Sequence, residues 1–276
     1  MSIRPVPAVL VGLLDDAAVF PPGNAPLAGA VAAHREHRAA WYAPMVGPLL
    51  VPPEDVPGVP DDLEIGVVGP LDAVARVVDS GRAVRQLEVP VAKRGEDPQP
   101  GLADLLALIR TTGLTAYAET PLTWGLTAAL DTLAEARAAG LPVAPKFRTG
   151  GLAAELFPTP VELAAVVCAC RDRGLPFKLT AGLHHAIRHS DPETGFIHHG
   201  FLNVLVASAV AADGAGPADV AKVLASGDAV SLVTAVHPWM ARERPLWIGF
   251  GSCSIAEPLA DLRVLGLLPT TEEGST

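Results

Sequence analysis

Two lysines, Lys146 and Lys178, have the sequence context of catalytic amines. Each lies in a short apolar segment that is typical of a buried strand and that runs into a glycine-bearing turn. An ammonium group is costly to bury unless the site uses it. A desolvated lysine near a second cation loses its proton more easily and becomes a nucleophile. The pair therefore predicts an enzyme and indicates Schiff-base chemistry.

The segments around these lysines alternate between strand-like and helix-like patterns, as in βα units around a parallel sheet. The candidate strands are residues 8–14, 48–51, 63–68, 84–91, 114–119, 142–147, 175–180 and 246–251. The candidate helices are residues 27–43, 71–80, 102–111, 126–139 and 160–173. This order predicts an α/β protein with a (β/α)8 TIM barrel. We expect one barrel domain over 1–276, an irregular first half because 52–60 forms only a loop, and a flexible tail at 269–276.

Parallel barrel strands bring their carboxyl ends to one rim, where active sites of this fold lie. The side chains and turns predicted at this rim are Glu88, Glu119, Lys146, Arg148, Lys178, Thr180, Gly251 and Ser252. Neighbouring strands lie about 4.8 Å apart. Amines on the sixth and seventh strands would therefore depress each other's pKa if both point inward.

Several of these positions have two interpretations. Glu88 and Glu119 either transfer protons or only neutralise the lysines. Arg148 and Arg188 suit a carboxylate or phosphate group of a substrate. The turn that follows the last strand, at 251–254, either cradles phosphate with its backbone amides or needs glycine for a tight strand exit.

The longest segment without periodicity, residues 183–200, holds five of the eight histidines. A loop of this length after a barrel strand is typical of an active site. We expect His184 and His185 to orient the substrate or to act as acid and base. Alternatively, a divalent ion such as zinc is held by a set drawn from this loop: His184, His185, His189, His198 and His199, with a rim glutamate. The third interpretation is a solvated surface loop.

Composition limits the classes of function. Half of the residues are hydrophobic and 18% are charged, which favours a large buried core. The net charge of −10 argues against nucleic acid as a partner. No apolar run reaches the roughly 20 residues of a membrane span, and no cleavage site follows 8–14, so neither a membrane protein nor a signal peptide is predicted. With three cysteines there is no disulfide framework, and a cytoplasmic protein is expected.

Two further features are assigned structural roles. The pair Asp15 and Asp16 follows the first candidate strand, and we expect it to cap a helix entry rather than to take part in catalysis. Cys253 is predicted to pack, because the sequence ties no histidine to it.

Four short motifs resemble strand motifs of the class I deoxyribose-phosphate aldolases in order and spacing. They are Ala-Glu-Thr at 118–120, Lys-Phe-Arg-Thr-Gly at 146–150, Lys-Leu-Thr-Ala-Gly at 178–182 and Ile-Gly-Phe-Gly-Ser-Cys-Ser at 248–254. The resemblance implies that Lys146 forms the Schiff base, that Lys178 tunes it, and that Gly251 with Ser252 holds a substrate phosphate. Glu88 falls where that family places an acidic proton-transfer residue, although the residue type differs. Phe147 and Arg148 replace small residues beside the lysine.

These observations predict a carbon–carbon lyase of the class I aldolase type that acts on a small anionic carbonyl or phosphorylated compound and needs no cofactor. In this prediction Lys146 attacks the carbonyl and Lys178 keeps Lys146 deprotonated. The first alternative is a metal-dependent lyase, isomerase or hydrolase that uses the histidines. The second is a non-catalytic barrel that binds a metabolite. The sequence is also compatible with a homo-oligomer.

Overall fold

Eight parallel strands close into a barrel in residues 6–269, the part of the chain that the structure, a computed structural model, describes. Together with two short strands outside the barrel, the strands in chain order are β1 (Leu14–Asp16), β2 (Val46–Val51), β3 (Ile65–Val68), β4 (Gln86–Pro90), β5 (Thr115–Glu119), β6 (Val143–Arg148), β7 (Phe177–Thr180), β8 (His189–Ser190), β9 (Ile197–His198) and β10 (Trp247–Ser252). The order around the barrel is β1-β10-β7-β6-β5-β4-β3-β2, and β8 pairs with β9 separately. The predicted (β/α)8 fold is therefore confirmed.

Helices surround the barrel. They are α1 (Leu27–Ala39), α2 (Leu71–Asp79), α3 (Gln99–Thr112), α4 (Leu126–Ala138), α5 (Pro160–Asp172), α6 (Phe201–Ala212), α7 (Pro217–Ala225), α8 (Ala229–Val236) and α9 (Ala256–Val264). The first five were expected. Between β2 and β3 the described chain has only a 3-10 helix, Pro53–Gly58, which agrees with the predicted irregularity. None of the helices in residues 6–269 combines the length and apolarity of a membrane span.

The start of α5 shows how the sequence sets a helix boundary. Thr159 precedes Pro160, and its side-chain oxygen accepts a hydrogen bond from the backbone N–H of Glu162 at 3.2 Å. The carboxylate of Glu162 in turn accepts from the backbone N–H of Thr159 at 2.7 Å. This capping box satisfies two backbone donors that a helix start leaves without partners. It fixes where the chain leaves the β6 side of the rim.

The apolar core lies mainly between the strands and the helices. Side chains that point outward from the strands are fully buried there, as for Leu87, Ala118, Phe147 and Leu179. Because successive strand residues face opposite sides, the residues between them point into the barrel. Each large apolar side chain buried in this layer contributes about 1.5–3 kcal/mol. The outer layer thus stabilises the barrel and leaves its interior available for polar groups.

The first strand differs from the prediction. The segment Ala8–Leu10 is a 3-10 helix, and Gly12 then adopts a left-handed backbone conformation with φ of 61°. The strand begins only at Leu14 and contains both Asp15 and Asp16. In the apolar run that suggested a strand, Val9, Leu10 and Leu13 are buried, whereas Val11 is exposed. The expected helix-cap role of the two aspartates is therefore wrong, since α1 begins eleven residues after Asp16.

The expected loop at 183–200 contains the antiparallel hairpin β8–β9. Its two strands pair His189 with His198, and the tight turn between them is closed by the backbone N–H of Asp191 donating to Phe196. The chain then enters α6. The predicted flexible tail lies outside the described residues except for Pro269.

Candidate active site

Charged side chains of alternating sign fill the inside of the barrel. From the carboxyl end inward they are Arg148, Glu119, Lys146, Glu88, Lys178 and Asp15. They are carried by β6, β5, β4, β7 and β1, and we call this series the charge ladder. Lys146 and Lys178 lie side by side in register on β6 and β7, and each is nearly fully buried. The structure thus places both lysines inside the barrel.

Glu88 is the centre of the charge ladder. Its Oε2 lies 2.8 Å from Nζ of Lys146, and its Oε1 lies 2.5 Å from Nζ of Lys178. Lys146 Nζ is also 2.7 Å from Oε2 of Glu119, while Lys178 forms a second ion pair with Asp15. Each buried ammonium therefore has two carboxylate partners. This pairing offsets the cost of taking the charges out of water.

The carboxylates decide the protonation of both lysines. Burial raises the pKa of Glu88, but the two ammonium groups outweigh burial and lower that pKa from 4.5 to about 2. Burial lowers the pKa of each lysine, and the neighbouring carboxylates again outweigh it, so the pKa values of Lys146 and Lys178 are raised. The prediction that Lys178 keeps Lys146 deprotonated is therefore wrong. The two lysines are close, but Glu88 lies between them, and Glu119 and Asp15 each pair with one of them.

Three residues around Lys178 were missed or misassigned from the sequence. Asp15 was assigned to a cap, whereas it pairs with Lys178. Gln86 donates from Nε2 to Asp15 Oδ2 at 2.6 Å and to Glu88 Oε1 at 2.9 Å. The ring of Tyr117 lies beneath Lys178, with 4.5 Å from Nζ to the ring centroid. Gln86 and Tyr117 precede Glu88 and Glu119 by two residues, so strand alternation was the signal that pointed to them.

A cavity lies at each end of the barrel, next to the charge ladder. A cavity of about 200 Å³ at the carboxyl end is lined by Glu119, Thr120, Arg94 and Arg148, together with Leu122 and Leu156. A second cavity of about 210 Å³ lies at the amino end and reaches Asp15, Lys178 and Tyr117. Lys146 is linked to the first cavity through Glu119, and Lys178 lines the second. The two neighbouring lysines are thus connected to different cavities, Lys146 to the one at the carboxyl end and Lys178 to the one at the amino end.

The residues expected to bind an anion are only partly gathered at the carboxyl end. Arg148 is half-exposed and donates through Nε to Glu119 Oε1 at 2.9 Å. Thr180 and Gly251 are opposite each other on β7 and β10. Ser252 is buried and donates its hydroxyl to the Ser254 carbonyl at 2.6 Å. That hydroxyl is already used within the turn, and the phosphate cradle at Gly251 and Ser252 stays a prediction.

The histidines of the hairpin face different partners. His185 Nδ1 lies 3.3 Å from Asp261 Oδ2, and His189 stacks on His198 with 5.3 Å between ring centroids. His199 is buried, with Nε2 2.7 Å from the Pro158 carbonyl oxygen. In residues 6–269 no three histidine, cysteine, aspartate or glutamate side chains are grouped to hold a metal ion. The five histidines proposed as zinc ligands, among them His184, therefore form no ligand set in this part of the chain.

Arg188 and His185 were both expected near the substrate, but neither lines the carboxyl-end cavity. Arg188 is half-buried near His199, where burial lowers the pKa of its guanidinium, and it is not among the residues that line that cavity. The acid–base role of His185 stays a prediction. His184 lies beside Cys253 and Glu257 at the same rim.

Gly47 is needed for the position of Asp15. A Cβ atom at residue 47 would lie 1.9 Å from Oδ1 of Asp15, whose other oxygen is held by Lys178 and Gln86. We expect Gly47→Ala to displace this carboxylate and to lower the free energy of unfolding by about 1–3 kcal/mol. The measurement is urea unfolding. Gly29→Ala in α1 is the matched control, since nothing lies within 4 Å of its added Cβ, and equal effects of the two variants would contradict this role of Gly47.

The strand pairing defines this protein as a (β/α)8 barrel with a buried charged interior. No protein-family model matches the sequence, and no curated protein matches it either. A crystal structure of dihydropteroate synthase (FolP) from Thermus thermophilus is similar with a TM-score of 0.45 and 14% identity, over 92% of each chain. The complex of the Thermus thermophilus enzyme with 6HMPPP gives a TM-score of 0.43 and 16% identity, over 97% of this chain and 94% of that chain.

Similarity at this level carries no argument about function. The barrel, which is the coarser part of the resemblance to the class I deoxyribose-phosphate aldolases, is confirmed by the strand pairing itself. Membership of that aldolase family stays a prediction.

Proposed function

We propose that this barrel is a Schiff-base enzyme, a carbon–carbon lyase of the class I aldolase type, with Lys146 as the nucleophile. One observation carries the proposal: two buried lysines in register on adjacent strands share Glu88 between them. A site that needs only structural neutrality would not require two ammonium groups in a barrel interior, because apolar residues fill such interiors at lower cost. Perturbed and coupled groups beside a cavity are typical of active sites.

The two cavities support Lys146 rather than Lys178 as the nucleophile. Lys146 contacts Glu119, which lines the carboxyl-end cavity, and this is the end where barrel enzymes bind substrates. Lys178 contacts Asp15 at the other end and lies on the ring of Tyr117, which favours its charged form. In this proposal Lys178 stays an ammonium group. Glu88 and Asp15 therefore keep a cation beside them when Lys146 is deprotonated.

Glu119 is the better proton carrier of the two glutamates. Glu88 is held by two buried ammonium groups and has a pKa of about 2, which makes it a weak base. Glu119 is held by one ammonium group and by the half-exposed Arg148. An anionic substrate that binds Arg148 would weaken its hold on Glu119 and make Glu119 more basic. Substrate binding would thereby prepare the proton transfer from Lys146.

The proposed reaction begins with proton transfer and ends with the lysine restored. Glu119 takes a proton from the Lys146 ammonium group, and the amine nitrogen attacks the carbonyl carbon. The protonated Glu119 gives this proton to the carbonyl oxygen. Glu119 then carries a second proton from the nitrogen to the same oxygen, which leaves as water as the iminium forms. A carboxylate then takes the β-hydroxyl proton, the carbon–carbon bond breaks, and its electrons move to the iminium to give an enamine. Protonation and hydrolysis release the second product and restore Lys146.

The cavity also limits the substrate. About 200 Å³ is smaller than the roughly 300–1,000 Å³ of pockets for drug-sized ligands, which supports a compound of a few carbon atoms. Arg148 and Arg94 line it and would fit a carboxylate or phosphate group, since guanidinium groups bind both in a bidentate manner. Arg94 donates from one guanidinium nitrogen to the Glu155 carbonyl oxygen at 3.3 Å. Arg94 was not identified from the sequence.

The test is reductive trapping. The protein is incubated with pyruvate, acetaldehyde, glyceraldehyde 3-phosphate or dihydroxyacetone phosphate, reduced with sodium borohydride, and measured by mass spectrometry. We expect one adduct, located at Lys146, with at least one of these compounds. Lys146→Arg is the control and should give none. Absence of an adduct with every compound, or an adduct at surface lysines only, would contradict the proposal.

A further inference from the structure

Three side chains at the carboxyl end of the barrel form a cluster that the proposed reaction does not use. Cys253 follows β10, His184 follows β7, and Glu257 lies in the first turn of α9. The sulfur of Cys253 lies 3.6 Å from Nε2 of His184 and 3.7 Å from its Nδ1. His184 Nδ1 lies 2.9 Å from Oε2 of Glu257. We infer that Cys253, His184 and Glu257 form a second reactive site, in which the thiol adds reversibly to a small aldehyde.

The order of the three groups is that of a nucleophile, its base and a group that orients the base. In the neutral ring that donates its Nδ1–H to Glu257, Nε2 is the nitrogen that can accept a proton, and it lies 3.6 Å from the sulfur. The sequence predicted that Cys253 only packs. His184 is 69 residues away in the chain, and only the closure of the barrel brings it next to the thiol.

Cys253 differs from the other two cysteines. Cys168 and Cys170 are buried in α5, and burial raises the pKa of Cys170 to about 12. Cys253 is only half-buried at the rim. Burial raises its pKa as well, so the resting thiol is neutral and needs a base before it can attack. His184 is placed to be that base.

Addition to an aldehyde fits these groups because it moves one proton and expels nothing. His184 Nε2 takes the thiol proton while the sulfur bonds to the carbonyl carbon. The carbon–oxygen π bond breaks, and the oxygen takes the proton from His184 to give a hemithioacetal. No oxidant, reductant or leaving group is needed. The choice of an aldehyde rests on the proposed function, since a carbonyl compound would then enter the same end of the barrel.

Alkylation by iodoacetamide at pH 7 tests the thiol site independently of Lys146. Because Cys168 and Cys170 are buried, mass spectrometry should find a single label, at Cys253, and Cys253→Ser should take none. We expect His184→Gln to slow the labelling on the order of 100-fold and Glu257→Gln to slow it less. His237→Gln, at an exposed histidine just after α8, should leave the rate unchanged. Labels on Cys168 or Cys170 would reveal an unfolded variant, which would be replaced by His184→Asn.

A second arm tests the aldehyde. Glycolaldehyde should protect Cys253 from iodoacetamide reversibly in Lys146→Arg, which lacks the Lys146 amine. The protection should develop more slowly in Lys146→Arg with His184→Gln, because a base speeds the addition without shifting its equilibrium. Wild-type labelling rates in His184→Gln would overturn the thiol site. Protection that develops at the same rate in the two proteins, or no protection in either, would overturn the aldehyde as its substrate. Failure of borohydride trapping together with fast, His184-dependent labelling would reject the lysine chemistry and retain the thiol site.

Discussion

Lys146→Arg is expected to abolish turnover and to leave the barrel folded. The guanidinium group keeps a positive charge between Glu88 and Glu119, but it has no free amine that could attack a carbonyl carbon. Loss of a covalent nucleophile lowers kcat by a factor on the order of 10⁴ to 10⁶. The measurement is kcat with the compound that borohydride trapping identifies, accompanied by thermal unfolding.

Arginine is a sharper replacement than alanine at this position. Lys146 is 2% exposed, so Lys146→Ala would also leave a cavity and remove one cation from two carboxylates. A loss of activity in that variant would have two explanations. Lys178→Arg is the matched control, because it changes the other buried lysine in the same way and should still form the trapped adduct at Lys146. Lys146→Arg with activity close to that of the wild type would exclude the Schiff-base role.

The two lysines could be located from the sequence because a charged residue within an apolar strand is conspicuous. Lys146 and Lys178 interrupt segments whose other members, such as Phe147 and Leu179, are buried in the outer layer. The spacing of these strands also predicted the barrel. Their register, and therefore the closeness of the two lysines, follows from the parallel order of β6 and β7.

The partners of the lysines were harder to predict for a physical reason. A carboxylate in a strand is expected only where a cation compensates it, and the compensating cations lie far away in the sequence. Asp15 and Lys178 are separated by 163 residues, and Glu88 and Lys178 by 90. Without the closed barrel, Asp15 looks like a surface residue at a strand end. The predicted lowering of the pKa of Lys146 was wrong for the same reason, because the sequence does not show that Glu88 and Glu119 lie beside this lysine.

The histidine segment shows a different limit. Its residues were grouped because they are close in sequence, but the hairpin distributes them. His184 contacts Cys253 and Glu257, His199 contacts the chain before α5, and His189 and His198 contact each other. Each contact except the last depends on where other strands and helices end. Proximity in the chain was thus a poor guide to a shared ligand.

Glu88→Gln is expected to have the largest effect on stability. The amide has the size of the carboxylate but no charge, so Lys146 and Lys178 would lose their shared anion while remaining buried. Removing one partner of a buried ion pair costs about 3–5 kcal/mol. We expect the free energy of unfolding at pH 7, measured in urea, to fall by this amount. Glu64→Gln is the control, because its ion pair with Arg85 at 2.8 Å is exposed and should contribute about 0–1 kcal/mol.

The same variant predicts a pH dependence with a definite sign. The pKa of Glu88 falls from 4.5 to about 2 in the folded protein, so the unfolded chain takes up the proton first as the pH falls. The stabilisation by Glu88 is therefore complete above pH 4.5 and is lost as the pH decreases toward 2. The difference between wild type and Glu88→Gln should be smaller at pH 3 than at pH 7, after the change in Glu64→Gln is subtracted. A difference that stays constant or grows on acidification would mean that Glu88 is not held as an anion between the two lysines. That result would contradict the charged interior on which the proposed function rests.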